Sequence, residues 1–239
     1  MHALRQTSPR LPWLLAAAAP AEARAVAARF TDAHTDAIDR AAHHPWRTLP
    51  LSDRLHLLVT GVGPACAAAA VAHTYRPDAH AGLCILGVAG ALPDTNLSIA
   101  DLVVATTIVD AHTGIRTNDG FQDTAQMGFP PLPALEHNTI AADHDALDTA
   151  ALPAHTPAPI ATVTTCSATD ALARDVATRT AAACEAMEGF AAAATAKRLA
   201  PDRPVLELRV ISNTTGDRAR QEWDLPRALR ALSDLARTL

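Results

Sequence analysis

Val205-Leu-Glu-Leu-Arg-Val-Ile-Ser-Asn213 is an apolar, β-branched run that ends on an amide. Residues 205–211 read as a buried strand, and Ser212-Asn213 as the point where it opens into a site. About a helix and a turn upstream, Met187-Glu188-Gly189 follows a short strand over 184–186 and opens a helix over 188–199. That order places a carboxylate where a strand gives way to a helix. The same alternation runs outward through the chain. Strands are predicted over 13–19, 55–60, 82–88, 101–109 and 160–164, and helices over 21–30, 65–75, 168–182 and 226–239. Strands alternating with helices imply one α/β domain over 11–239, with a mainly parallel sheet covered by helices. Residues 31–55 read as an irregular, His-rich crossover. Residues 110–158 read as loops, a lid or partner-facing region, and 1–10 as a disordered leader.

Composition narrows the classes. The chain has 239 residues, 49% hydrophobic and 19% charged, with a formal charge of −5. A nucleic-acid binder would show a basic face, so none is expected as partner. No apolar run reaches the ~18 residues of a membrane span. Arg5, Arg10 and the apolar run from Leu11, with Ala21-Glu22-Ala23 after it, imitate a secretory signal. Pro12 breaks that run, and cleavage would remove the first element of the α/β pattern. A buried first strand is the better account. The four cysteines form no Cys-x-x-Cys pair and read as small buried hydrophobes in a reducing cytoplasm. The eleven histidines are scattered, so solvated surface is expected, with no metal and no cofactor. Thr60-Gly-Val-Gly-Pro64 lacks the third glycine of a dinucleotide fingerprint and the lysine of a P-loop. It reads as a tight turn before a closely packed helix.

The chemistry gathers at strand ends, where ligands bind in such sheets. Glu22, Gly61, Gly87, Glu188 and Asn213 all fall just past a predicted strand. Glu188 alone could simply suit a helix dipole, and Asn213 alone could end a strand. Together they can grip a ribose and a purine. Asn offers two N–H donors and a carbonyl acceptor. The donor suits O6 of a 6-oxopurine, and the carbonyl accepts from protonated N7. An adenine-type base, with a donor at N6, is better served by a carboxyl group. A mismatch costs about 1–3 kcal/mol, ten- to a hundredfold in rate.

Eight stretches carry a family resemblance: PAEARAV (20–26), TGVGPACAAAAVA (60–72), GVAGALP (87–93), DLVVAT (101–106), MGFP (127–130), TVTTCSATDALA (162–173), EAMEGFAAA (185–193) and LRVISNTTGDRARQEWDLPRAL (208–229). They resemble the nucleoside phosphorylase / nucleosidase superfamily, and within it the futalosine hydrolases, nucleosidases of menaquinone biosynthesis. The resemblance implies a three-layer α/β/α sandwich with a mixed sheet, usually a homodimer or higher homo-oligomer. It implies hydrolysis of an N-glycosidic bond, releasing hypoxanthine from a small-molecule nucleoside. On it, Glu22 activates the attacking water, Met187 and Glu188 hold the ribose, and Asn213 holds the purine. Val88, Ala89, Gly90, Ser212 and Arg209 complete the candidate pocket, with Phe129 or Phe121 stacking on the base. Arg218 and Trp223 either shape the site or anchor the last helix. A phosphorylase needs an anion site, yet the first strand is followed by Ala-Pro-Ala-Glu22, the third ends without a hydroxyl, and Glu22 would repel phosphate. Hydrolysis is therefore favoured. The alternatives are an adenine-type nucleosidase, a purine nucleoside phosphorylase, and a nucleoside-binding protein that keeps the fold without turnover.

Overall fold

The computed structural model describes residues 2–5, 11–30, 35–43 and 46–239. In chain order its elements are β1 (Trp13–Ala17), α1 (Pro20–Ala27), α2 (Thr35–His43), β2 (Thr48–Ser52), β3 (Leu55–Val59), α3 (Pro64–Thr74), β4 (Leu83–Ala91), β5 (Leu102–Asp110), β6 (Gly114–Thr117), β7 (Gly120–Asp123), β8 (Thr139–Ala141), β9 (His155–Thr162), α4 (Asp170–Thr180), β10 (Cys184–Ala186), α5 (Gly189–Leu199), β11 (Val205–Thr214) and α6 (Leu225–Ala236). β1 is buried along its whole length and lies between β3 and β4, parallel to both. The apolar N-terminal run is thus a central strand.

Among the described residues nine strands form one sheet in the order β10-β9-β5-β11-β4-β1-β3-β2, with β8 on β5. The sheet is mixed. β5 runs antiparallel to β11, and β10 returns to pair antiparallel with β4. Five strands, β4, β11, β5, β9 and β10, therefore close on themselves and remove the edges that an open sheet would leave there. Helices α1 and α6 pack together on one face with Val26, Leu232 and Leu235 in the core. Helices α3 and α5 cover the other with Val71, Phe190 and Ala193. Two apolar layers on a twice-covered sheet give the three-layer α/β/α sandwich.

Several expectations change. The crossover at 31–55 holds α2 and the edge strand β2, antiparallel to β3. Pro50 sits in β2, where an edge position tolerates the missing N–H. The supposed loops of 110–158 contain the β6–β7 hairpin and β8. That region is organised by buried Asn138, which accepts from Thr124 Oγ1 and the Ala125 N–H and donates to the Thr113 carbonyl. Such polar ties leave no hydrophobic period to read. The leader expectation fails for residues 3–5. Ala3 and Leu4 are buried, the Ala3 N–H donates to the Thr238 carbonyl, and Trp13 Nε1 donates to the Arg5 carbonyl. Residues 6–10 lie outside the described residues, as does His44. Of the cysteines, Cys84 and Cys184 are buried, while Cys66 and Cys166 are exposed; all four are free.

The histidines are not all surface groups. His80 is buried, stacked on Tyr75 and edge-on to His56, and its Nδ1 accepts the Arg76 N–H. Burial, with His56 beside it, pushes its pKa down to about 4. The folded state therefore resists protonating His80, while the unfolded chain protonates it near 6.5. Its contribution is complete above that value and is lost as pH falls toward 4, a change of roughly 3 kcal/mol. Denaturant unfolding between pH 7 and 4.5 should show this slope, and His80→Phe should flatten it.

Candidate active site

A cavity of about 280 Å³ opens where β1, β4, β10 and β11 meet. Its wall includes Glu22, Val88, Ala89, Gly90, Met187, Glu188, Ser212 and Asn213. Residues from distant parts of the sequence thus meet in one wall. Arg209 lies behind the wall, fully buried. Phe129 is not brought in: it is 72% exposed, held in a turn after β7 by its N–H bond to the Thr124 carbonyl. Phe121 faces another cavity, beneath the Arg179 guanidinium. Within this chain, then, neither phenylalanine reaches the space where the base would stack.

Glu22 sits on the first turn of α1 and is buried. Its Oε2 accepts the Ala19 N–H at 2.8 Å and its Oε1 the Val88 N–H at 2.7 Å. The second bond requires Gly87, since a Cβ there would lie 2.4 Å from Oε1. Each oxygen keeps a second lone pair for another donor. Burial raises the Glu22 pKa; nearby Arg209 and the two N–H bonds oppose it, and Glu188 adds to it. The net direction is upward from the ordinary carboxylate value.

Glu188 caps the space between α3 and α5. Its Oε1 accepts the Gly63 N–H at 3.0 Å, and its Oε2 accepts from Arg209 Nη2 at 3.2 Å. The Gly61–Gly63 loop, with both glycines at positive φ, is thus a tight turn as expected, and it has a further use. Its helix-terminal N–H, the kind that cradles phosphate elsewhere, is filled by the protein's own carboxylate.

Arg209 is the hub. Its Nε donates to Glu207 Oε1 at 2.9 Å, its Nη2 reaches Glu188, and its charge also acts on Glu22. Burial works against the guanidinium's charge, but the three carboxylates outweigh it. Glu207 is fully buried, and burial pushes its pKa up against the pull of Arg209. Its carboxyl fills the space above Gly189, where a Cβ would lie 2.2 Å from Oε2. Glycine is therefore required after Glu188 for packing. Glu207 escaped the sequence reading because a Glu inside an apolar strand shows no pattern; its spacing of two from Arg209, on the same strand face, was the available signal.

Asn213 owes its direction to an irregularity. The β4–β11 register shifts between Ile211 and Asn213, a bulge that re-aims side chains at the strand's end. Asn213 Oδ1 accepts from Ser212 Oγ at 2.9 Å, and Nδ2 donates to the Thr214 carbonyl at 2.9 Å. One N–H and one lone pair remain for a ligand. Beyond the bulge, the Asp224 N–H donates to the Ser212 carbonyl and the Thr214 N–H to the Glu222 carbonyl. This pairing holds Trp223 at the cavity mouth, with Arg218 4.8 Å above its ring. Trp223 thus shapes the site, whereas Arg218 braces Trp223 and Gln221.

Sequence reasoning missed Glu185 and Cys166, which also line the cavity. Glu185 comes from β10, which runs against β4, so it reaches the site from a direction that a parallel pattern does not suggest.

Comparison with known proteins agrees with this fold. The model of the phosphorylase superfamily matches residues 14–239, and the chain belongs to that family. It is similar to the futalosine hydrolase of Streptomyces coelicolor, 36% identical over 233 residues and 92% of each chain. A solved futalosine hydrolase mutant of Helicobacter pylori superposes with a TM-score of 0.66 at 15% identity, over 95% of this chain and 97% of that one. A 5′-methylthioadenosine/S-adenosylhomocysteine nucleosidase of Colwellia psychrerythraea, solved with adenine, does so with a TM-score of 0.68 at 16% identity, over 100% and 93%. The two solved structures share the fold and do not separate the two substrate classes.

Proposed function

We propose that the protein hydrolyses the N-glycosidic bond of futalosine, releasing hypoxanthine and leaving the dehypoxanthinyl sugar. The observation that carries this is Asn213, an amide rather than a carboxyl group, at the cavity wall with one donor and one acceptor unspent. That pair complements O6 and protonated N7 of a 6-oxopurine. The likeness to a curated futalosine hydrolase over most of both chains supports the same substrate.

In the proposed reaction, Glu22 takes a proton from water as its oxygen attacks C1′. The bond from C1′ to N9 breaks and its electrons pass to the base, which takes a proton at N7 from solvent and leaves as neutral hypoxanthine, with Asn213 accepting from N7–H and donating to O6. Glu188, fixed by Gly63 and Arg209, accepts from the ribose hydroxyls beside Met187. Hydrolysis rather than phosphorolysis is supported by Val88, which offers no hydroxyl, and by the occupied N–H of Gly63.

Purified protein supplied with futalosine, inosine and methylthioadenosine in phosphate-free buffer tests the proposal. Hypoxanthine should appear from futalosine, with no gain on adding phosphate. Release of adenine but not hypoxanthine would favour an adenine nucleosidase, and strict phosphate dependence would favour a phosphorylase.

A further inference from the structure

The mouth of the active-site cavity is rimmed by apolar side chains left in solvent. Val62 is 57% exposed, Trp223 52% and Leu225 40%, and all three line the cavity. A single exposed apolar residue is ordinary, but several grouped round one opening mark a binding groove. Val62 belongs to the turn tied to Glu188 through the Gly63 N–H. Trp223 belongs to the segment between β11 and α6, where its backbone bridges to Asn213. The direction of its ring is set largely by one half-buried neighbour, Gln221.

Gln221 uses every hydrogen bond its side chain can make. Its Nε2 donates to the Ser167 carbonyl at 3.2 Å and the Gly216 carbonyl at 3.0 Å. Its Oε1 accepts from Trp223 Nε1 at 3.0 Å and from Arg218 Nη1 at 2.9 Å. An amide has two N–H donors and two acceptor lone pairs, so none is left for solvent or ligand. One side chain thus joins the indole ring, the guanidinium stacked on that ring and the connection between β9 and α4. That connection is itself fixed from the cavity wall. The buried Glu185 carboxyl accepts the Ser167 N–H at 2.7 Å and the Ser167 hydroxyl at 2.6 Å. Glu185, Ser167, Gln221 and Trp223 therefore form one continuous chain of hydrogen bonds from wall to mouth.

We infer that Gln221 is a positioning residue that holds the Trp223 ring across the cavity mouth, where the ring covers a bound nucleoside. An unrestrained ring on an exposed segment would have to be ordered as the ligand arrives, and that ordering weakens binding. Gln221 fixes the ring beforehand. The effect belongs to binding and not to the chemical step, so KM should respond and kcat should not. This assignment rests on the nucleosidase reading of the site.

The test compares Gln221→Ala, Gln221→Met, Trp223→Phe and the double variant Gln221→Ala/Trp223→Phe. KM and kcat are measured with futalosine. Acrylamide quenching of tryptophan fluorescence is measured with and without futalosine in a Glu22→Gln background, where turnover is suppressed. Trp13 is buried and Trp46 half-buried, and the signal missing from Trp223→Phe identifies the share of Trp223. Gln221→Ala should raise KM about five- to thirtyfold and leave kcat within about twofold. Gln221→Met keeps the bulk without the bonds and should behave like Gln221→Ala. Futalosine should shield Trp223 from acrylamide when residue 221 is Gln, and shield it less in the variants. The double variant should be no worse than the more affected single variant, because Gln221 acts through Trp223. Additive effects, an equal loss in kcat, a wild-type KM in Gln221→Met, or quenching of Trp223 unchanged by futalosine would each overturn the inference. If futalosine shields Trp223 but no nucleoside is hydrolysed, the proposed reaction fails, and the Kd of futalosine replaces KM in the same comparison.

Discussion

Glu22→Gln is expected to lower kcat on futalosine by about 10²–10⁴-fold, the usual share of a general base. The substitution keeps size and shape. Gln can still accept one of the two N–H bonds that Ala19 and Val88 donate to Glu22, but it cannot take a proton from water. Its own NH₂ then faces one of those donors, so a small loss of stability should accompany the loss of rate. KM should change little if Glu22 acts on the water and not on the sugar or base. The pH dependence gives a second signature. Burial raises the Glu22 pKa, so the base becomes protonated, and activity falls, at a pH above the ordinary carboxylate range. The acid limb of kcat/KM should lie correspondingly high in the wild type and vanish from the residual activity of the variant. A variant that retains wild-type turnover would remove Glu22 from the mechanism.

Arg209→Met is expected to destabilise the fold by about 3–5 kcal/mol, the cost of breaking a buried ion pair from one side. The guanidinium bonds Glu207 at 2.9 Å and Glu188 at 3.2 Å. Without it, Glu22, Glu188 and Glu207 share a buried region with no counter-charge. The loss should depend on pH in a particular direction. Arg209 opposes the rise in pKa of both Glu22 and Glu207, so its removal raises them further. The folded variant then binds protons more tightly than its unfolded chain, and its stability improves as pH falls. The deficit measured by denaturant unfolding should be larger at pH 8 than at pH 5. A deficit equal at both values would mean that Arg209 serves only as packing. Activity should also collapse, since Glu188 loses the group that aims its carboxylate.

The sequence made the frame legible where apolar periodicity is strong. β1, β3, β4 and β11 are buried runs bounded by small or polar residues, and the site residues fall at or just beyond their ends. The antiparallel return of β10 onto β4 was not legible, because pairing direction depends on how the sheet closes and not on three residues such as Cys184–Ala186. β2 and the β6–β7 hairpin carry no strand pattern because they are short and largely exposed. Within the site, Glu22 and Glu188 were found through position and resemblance. Their environment was not: the bond from Val88 to Glu22 depends on Gly87, and the fit of Glu207 depends on Gly189. Phe129 shows the opposite failure. An aromatic in a plausible loop carried no information about direction, and the folded chain leaves it in solvent.

The most direct test is the crystal structure of the Glu22→Gln variant with futalosine bound. The hypoxanthine O6/N7 edge should lie within hydrogen-bond distance of Asn213 and the ribose hydroxyls on Glu188, with a water between residue 22 and C1′. A base seated away from Asn213, or residue 22 more than one water from C1′, would contradict the account.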